Sequence, residues 1–330
     1  MRGMSKMLDL VSLGELLIDF TPVGISEHNN PIFERNPGGG PANMLCAASK
    51  LGLTTGFIGQ VGDDAFGHAL RRTLQENKID TANLLLSKQY KTTLAFVHLD
   101  EAGDRSFSFY RKNGADTMLR FDDVDLEMLE RTRCFFFSSV LLSEGDSRET
   151  SYRLAEYARE QGALTVFDPN LRENLWENLD DAKACIQKAL HLADIVKVSE
   201  EELYFLTDHA GLLDGGRMLL ERYGLKALLI TMGAAGCCAV LPEYSLTVPG
   251  FDVKAVDTTA AGDSFTGGFL YKLLAGGYDI DRIEKRELLP ILRFANAVGA
   301  LTTTKKGSIH ALPDGEEVLT FLRRQEATEF

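Results

Sequence analysis

The sequence predicts an α/β fold: a doubly wound, mostly parallel sheet with helices on both faces and a small β lid. Two observations carry the main body. Short apolar runs alternate with helix-length amphipathic segments, and several polar or glycine-rich clusters fall just where those runs end. A third observation carries the lid. Thr92–Leu99 and Arg105–Tyr110 alternate in β fashion around Asp100-Glu101-Ala102-Gly103-Asp104, a turn signal that breaks the βα rhythm.

The elements follow in order. Leu8–Leu13 reads as a strand, and Pro41–Leu51 as a helix opening after Gly38-Gly39-Gly40, with Pro41 suited to a first turn. Asp64–Asn77 is a second helix. Cys134–Ser138 is a buried strand, followed by a helix over 147–161. Thr165–Asp168, Ile195–Val198 and Ala227–Thr231 are strands, with a helix starting at Glu200–Leu206 and a hairpin over Gly236–Val248. Helices over 263–275 and 288–304 close the chain. Residues from about Asp19 to Arg35 join the 92–111 hairpin in the lid, an insertion in one 1–330 domain that would cover a ligand crevice. An antiparallel extension of the main sheet would explain the same hairpin.

Bulk properties narrow the function. The chain has 330 residues, 45% hydrophobic and 25% charged, an ordinary globular composition. No apolar run approaches the roughly 20 residues of a membrane span, and Met1–Asp9 lacks a signal-peptide core, so a cytoplasmic location is expected. The net charge of −13 argues against a nucleic-acid partner. Five irregularly spaced cysteines suggest neither disulfides nor a zinc site. P-loop, dinucleotide-fold, G-x-S-x-G and H-E-x-x-H signatures are absent.

Several motifs could carry chemistry. Small residues crowd between Asp257 and Asp263, just before a helical run. Such a turn can aim backbone N–H groups at an anion, and an aspartate there suits phosphoryl transfer as a proton acceptor. An ordinary helix start with a first-turn acid explains it equally. Gly38-Gly39-Gly40-Pro41-Ala42-Asn43 permits close backbone approach, and Asn43 could hold a pair of sugar hydroxyls; a glycine-rich cap on a core helix would look alike. Asp19, past the first strand, could accept from vicinal hydroxyls or be a solvated turn acid. Asp168–Arg172, Lys197–Glu202 and Thr231–Gly236 stand at further strand ends, where an acid could hold Mg²⁺ through water and a flexible turn could meet phosphate or ribose. All would line one crevice.

Together these segments resemble the ribokinase-like PfkB carbohydrate kinases along almost the whole chain: Gly38–Asn43, Asp257–Phe269, Thr231–Gly236 and Phe294–Ala297. Within the family, Gly14–Phe20, Phe109–Asp116, Asp168–Arg172 with Trp176, and Lys197–Leu203 look most like a fructokinase. The resemblance implies ATP- and Mg²⁺-dependent phosphorylation of a sugar's primary alcohol. It implies Asp263 as general base, with the Ala261, Gly262 and Asp263 amides as an anion hole and Ala260 in the same loop. It implies Asp19, Gly39, Gly40 and Asn43 gripping the sugar, Arg111 closing from the lid, and Asn170 and Arg172 near the phosphoryl path. Glu202 would organise Mg²⁺, while Lys197, Thr231, Gly233, Gly236, Asn296 and Gly307 surround the nucleotide. Asp257 and Thr259 fall at the family's monovalent-cation loop, so K⁺ could activate.

Two positions depart from the family pattern. Ala260 stands where Gly is usual; φ < 0 is expected there, since a positive φ would strain Ala by roughly 1 kcal/mol. Ser199 replaces the Asn of the Asn-x-x-Glu motif, which removes hydrogen-bonding capacity at that position. The nearest alternative activity is a 2-keto-3-deoxygluconate kinase, using Arg111 and Arg172 on a carboxylate. Other sugar or nucleoside kinases follow, and a non-catalytic sugar or nucleotide sensor is the alternative outside enzymes. Phe96, Phe107 and Phe109 would offer apolar area for a homodimer through the lid, or would pack the lid on its own domain.

Overall fold

The computed structural model describes residues 7–99, 105–209 and 211–328. In chain order, strands β1 to β7 are Leu10–Leu13, Leu17–Ile25, Pro31–Gly38, Thr55–Gly62, Leu84–Ser87, Leu94–Leu99 and Arg105–Tyr110. Strands β8 to β13 are Cys134–Ser138, Leu164–Asp168, Ile195–Ser199, Ala227–Thr231, Gly236–Val240 and Ser245–Pro249. Nine of them form the main sheet in the order β13-β12-β11-β10-β9-β8-β1-β4-β5. All its pairings are parallel except those of β12 with β11 and β13. The winding direction reverses between β1 and β8, so the loops that leave these strands diverge to opposite sides and open a crevice at their C-terminal ends.

The apolar runs are strands because both of their faces are covered. In β8, Phe136 packs into one core layer, while Phe135 and Phe137 pack into the other. Phe137 pairs in register with Phe167 of β9, ring centroids 4.7 Å apart. Fully burying each such ring contributes about 1.5–3 kcal/mol. Helices Gly40–Leu51, Ala65–Glu76, Ala261–Ala275 and Lys285–Thr303 cover the first layer. Helices Ser147–Glu160, Leu179–Leu190 and Leu212–Tyr223 cover the second.

β4 carries no strand signal that sequence reading picked up. Gly56, Gly59 and Gly62 dilute its pattern, and Gln60 is a buried amide whose Nε2 donates to Ala115 O at 2.9 Å.

The second sheet is small, with order β3-β2-β6-β7. β2 runs antiparallel to β3 and parallel to β6, and β6 pairs antiparallel with β7. It is thus a separate sheet rather than an extension of the main one. The turn at 100–104 and the side chain of Phe107 lie outside the described residues. Of the two expectations for the lid aromatics, packing on the chain's own domain describes Phe96. Phe96 stacks on Phe20 at 4.8 Å and meets Phe33 edge-on at 5.7 Å, whereas Phe109 lines the crevice. The small sheet is tied to the main body at its base. Asp64 caps helix Ala65–Glu76 and also accepts from Thr92 N–H and Oγ1, at 3.0 and 2.8 Å.

Candidate active site

Helix Ala261–Ala275 begins inside the crevice, with no side chain capping its N-terminus. Ala260, its N-cap, has φ +62° and ψ 9°. The expected negative φ is therefore wrong. The turn needs a left-handed residue to swing the chain from Thr259 into the helix, and Ala occupies that conformation at a cost of about 1 kcal/mol or more. Ala260→Gly should stabilise the fold by about 1 kcal/mol and raise Tm by about 2 °C in a thermal melt; an unchanged or lower Tm would contradict the strain. The turn spends the Ala261 amide on Thr258 O at 3.3 Å, and the Ser264 amide on Ala260 O at 2.8 Å. Among the described residues, the Gly262 and Asp263 amides meet no protein acceptor, so the donors left for an anion are two rather than three.

Asp263 projects from this first turn into a cavity of about 490 Å³. Its Oδ2 accepts from Asn43 Nδ2 at 3.0 Å, across 220 residues of sequence. Enclosure pushes its carboxyl up, with Asn43 and the Lys197 and Arg172 charges pulling the other way. Asp19, Gly39, Gly40, Asn43, Asn170 and Arg172 line the same cavity. Gly40 sits where two side chains converge: a Cβ there would lie 2.2 Å from Asn170 Nδ2 and 3.2 Å from Asp263 Oδ1. Asn170 reaches that point with φ +42°, its backbone N–H donating to Asp168 Oδ1 at 3.0 Å. Burial pushes the Asp19 carboxyl up to about 6, and the Arg172 charge opposes the rise.

Behind the loop lies a buried ion pair that sequence reading did not single out. Lys197 Nζ is 3.2 Å from Asp168 Oδ2, and both side chains are almost fully buried. Burial works against the lysine's charge, but Asp168, Glu202 and Asp263 outweigh it and hold its pKa up. Burial pushes the Asp168 carboxyl up as well. Lys197 lines the Asp263 cavity and not the second cavity described below, where most of the other residues expected around the nucleotide gather.

Glu202 spends both oxygens on backbone amides: Oε1 on Leu171 N–H and Oε2 on Ser199 N–H, each at 2.8 Å. Glu202 N–H in turn donates to Ser199 Oγ at 3.2 Å, completing a capping box. Serine serves this position as an N-cap, a role that asparagine fills about equally well. Among the described residues no group of three His, Cys, Asp or Glu side chains is placed to hold a metal.

A second cavity of about 620 Å³ opens on the other side of the same turn. Thr231, Gly233, Gly236 and Asn296 line it together. Asn296 also has structural work, its Nδ2 donating to Val248 O and Pro249 O at 3.1 and 3.0 Å. The two cavities share Thr258, Ala261 and Gly262 as a common wall. Gly307 does not belong to the second cavity. With φ +93° it donates its amide to Asp257 Oδ2 at 3.1 Å, while Asp257 Oδ1 accepts from Thr259 N–H at 2.9 Å. These three residues line a smaller recess against the small sheet, which also includes Asp19.

Arg111 departs most from expectation. It is buried, with Nε 2.7 Å from Asp116 Oδ2, one terminal nitrogen 2.6 Å from Ser143 Oγ and the other 3.0 Å from Val140 O. It does not line the cavity; it braces Val140, which does. An arginine following a lid strand reads as a free fork, and the acid that claims it, five residues on, leaves no local sign. Glu15 was missed for a related reason: it looks like a turn acid, yet is 3% exposed, lines the cavity and accepts from Gly40 N–H at 2.8 Å. Burial pushes its carboxyl up to about 7, against its own and Gly40's amides and the Arg111 charge.

A helix start with vacant amides, an enclosed carboxylate beside it and cavities on either side define a group-transfer site on a doubly wound sheet. The model of the pfkB family of carbohydrate kinases matches residues 7–315, and the chain belongs to that family. It is a carbohydrate kinase. Probable fructokinase-3 of Arabidopsis thaliana is 42% identical over 319 residues, covering 96% of this chain and 92% of the relative. The fructokinase of Xylella fastidiosa, solved with bound ATP, superposes with a TM-score of 0.89 at 33% identity, covering 96% of this chain and 99% of that one. A double mutant of the fructokinase of Vibrio cholerae, solved with fructose, ADP and potassium ion, gives a TM-score of 0.85 at 33% identity with the same coverage. Among the described residues no helix is long and apolar enough to cross a membrane.

Proposed function

We propose that the chain is a fructokinase, transferring the γ-phosphoryl group of ATP to the primary 6-hydroxyl of fructose. The observation that carries this reading is the shared wall: Thr258, Ala261 and Gly262 separate two cavities, and Asp263 stands in one of them. Fructose occupies the cavity of Asp19, Gly39, Gly40 and Asn43, and ATP the cavity of Thr231, Gly233 and Gly236. Asp263 takes the hydroxyl proton as the phosphoryl group arrives, so its pKa need not match the alcohol's. The Gly262 and Asp263 amides, at the positive end of the helix, stabilise the charge on the transferring group. The names of the relatives above support fructose as acceptor.

Mg²⁺ would neutralise charge on the phosphates, and Glu202 fits it through water. Its oxygens are already bonded to amides, and among the described residues no carboxylate cage surrounds it that would strip the ion's hydration. Asp257 and Thr259 are the proposed K⁺ loop, and the small sheet is the proposed lid. That sheet leaves Val23, Ile25 and Tyr110 exposed, and we propose a homodimer through them, to be read by light scattering.

Incubation with ATP and fructose, 2-keto-3-deoxygluconate, ribose or adenosine in turn tests the reading. Fructose should give the highest kcat/KM. Sugar-independent ATP consumption, or none with any acceptor, would sink it, the latter in favour of a sensor. The burial of Arg111 among Asp116, Ser143 and Val140 weighs against a carboxylated acceptor, since it leaves Arg172 and the paired Lys197 as the cations lining the cavity among the described residues.

Asp19 sets an expected pH limb. It serves as an acceptor when ionised, and burial has moved its proton loss to about 6. Therefore kcat/KM for fructose should rise as pH increases through about 6. The same shift means that the native state holds this proton more tightly than the unfolded chain. The stability linked to Asp19 accordingly declines as pH rises from the ordinary carboxylate range to about 6. Asp19→Asn should flatten the kinetic limb, and a limb that persists in the variant would assign it elsewhere.

A further inference from the structure

Glu15 lines the acceptor cavity, yet phosphoryl transfer as derived above gives it no task. Its carboxylate is buried, Oε2 has no protein partner, and no cation pairs with it among the described residues. Oε1 is committed: it accepts the Gly40 amide at 2.8 Å. Gly40 is the first residue of helix Gly40–Leu51, whose leading amides have no acceptor within the helix. The N-cap is Gly39, at φ +122°, which has no side chain to satisfy them. Glu15 thus supplies from outside the helix the carboxylate that a capping side chain would normally supply.

The place of that contact matters. Gly40 is the point where Asn170 Nδ2 and Asp263 Oδ1 converge, and Asn43, one turn further, holds Asp263 Oδ2. A shift of Gly40 would change the spacing between the alcohol-binding edge and the base. We propose that Glu15 is a positioning residue: by capping helix Gly40–Leu51 from outside, it fixes the Gly39–Asn43 edge of the acceptor cavity against Asp263. The kinetic part of this proposal rests on the kinase reading of that cavity; the structural part does not.

The test compares Glu15→Leu with Glu15→Gln, whose amide oxygen can accept the same N–H. Hydrogen exchange of the sugar-free enzyme is read on a peptide spanning 39–46. Glu15→Leu should exchange at least about tenfold faster there, with residues 262–275 unaffected, and Glu15→Gln should match the parent. With the best acceptor of the panel, Glu15→Leu should lose about 10²-fold in kcat/KM for sugar, with KM for ATP within about twofold, and Glu15→Gln should recover to within about threefold. Parent-like exchange in Glu15→Leu would overturn the proposal. So would equal losses for both substrates in step with Tm, or a Glu15→Gln variant no better than Glu15→Leu. If Glu15→Leu does not fold, Glu15→Asp, one methylene short of Gly40, is read in its place. If no acceptor is turned over, the activity reading fails while exchange still decides the positioning.

Discussion

Asp263→Asn is expected to lower kcat by about 10³-fold while leaving fructose affinity within about threefold. The asparagine is isosteric and keeps an oxygen for the Asn43 Nδ2 that now lies 3.0 Å from Asp263 Oδ2, so the acceptor edge stays in place. It cannot accept the hydroxyl proton, and a sugar alcohol is a poor nucleophile without that help. Steady-state kinetics paired with calorimetric fructose binding separates the two effects. Near-parental turnover would remove Asp263 from the chemistry; a matching loss of affinity would make it a binding residue instead.

The second large effect is on stability. Lys197→Met should cost about 3–5 kcal/mol at pH 8, because it leaves the Asp168 carboxylate buried without its partner 3.2 Å away. The variant's Asp168 can escape the penalty by binding a proton. With the lysine gone its folded-state pKa rises further above the unfolded value, so the native variant binds more protons than its unfolded chain. The cost should therefore shrink as pH falls and grow as pH rises. Adding Asp168→Leu should recover about half of the loss, since it removes the stranded charge but also the acceptor of the Asn170 amide. Urea titrations at pH 6 and 8 check this, and a single-variant cost under about 1 kcal/mol at pH 8 would show that water reaches the pair.

What sequence alone could supply follows from distance along the chain. Strands such as Cys134–Ser138 declare themselves because burial on both faces demands an unbroken apolar run. The clusters after them point to one crevice because a parallel sheet gathers its strand ends. The Gly38–Asn43 and Asp257–Asp263 turns were legible because backbone approach restricts residue type locally. Side-chain partnerships left no such trace. Lys197 and Asp168 are 29 residues apart, and Asn43 and Asp263 are 220 apart. Arg111 could not be distinguished from a free fork without its buried neighbours. Ala260 misled in the opposite direction: its side chain argued for an ordinary φ, and the demands of the turn overrode it. Gly307 likewise gave no sign that its amide is held by Asp257.

The shared wall between the cavities also restricts how this protein can be altered. Thr258, Ala261 and Gly262 face both chambers, so a substitution there reaches both alike. Leu17, Gly39, Gly40 and Asn43 line the Asp263 cavity, the proposed acceptor side, and not the other. Gly39, at φ +122°, and Gly40, where a Cβ would meet Asn170, are held as glycine, so drift toward a new sugar has its route through positions such as Leu17 at the start of β2, while the partition stays fixed. Discrimination among acceptors can diverge there without retuning the donor, which makes acceptor choice the evolvable half of this enzyme.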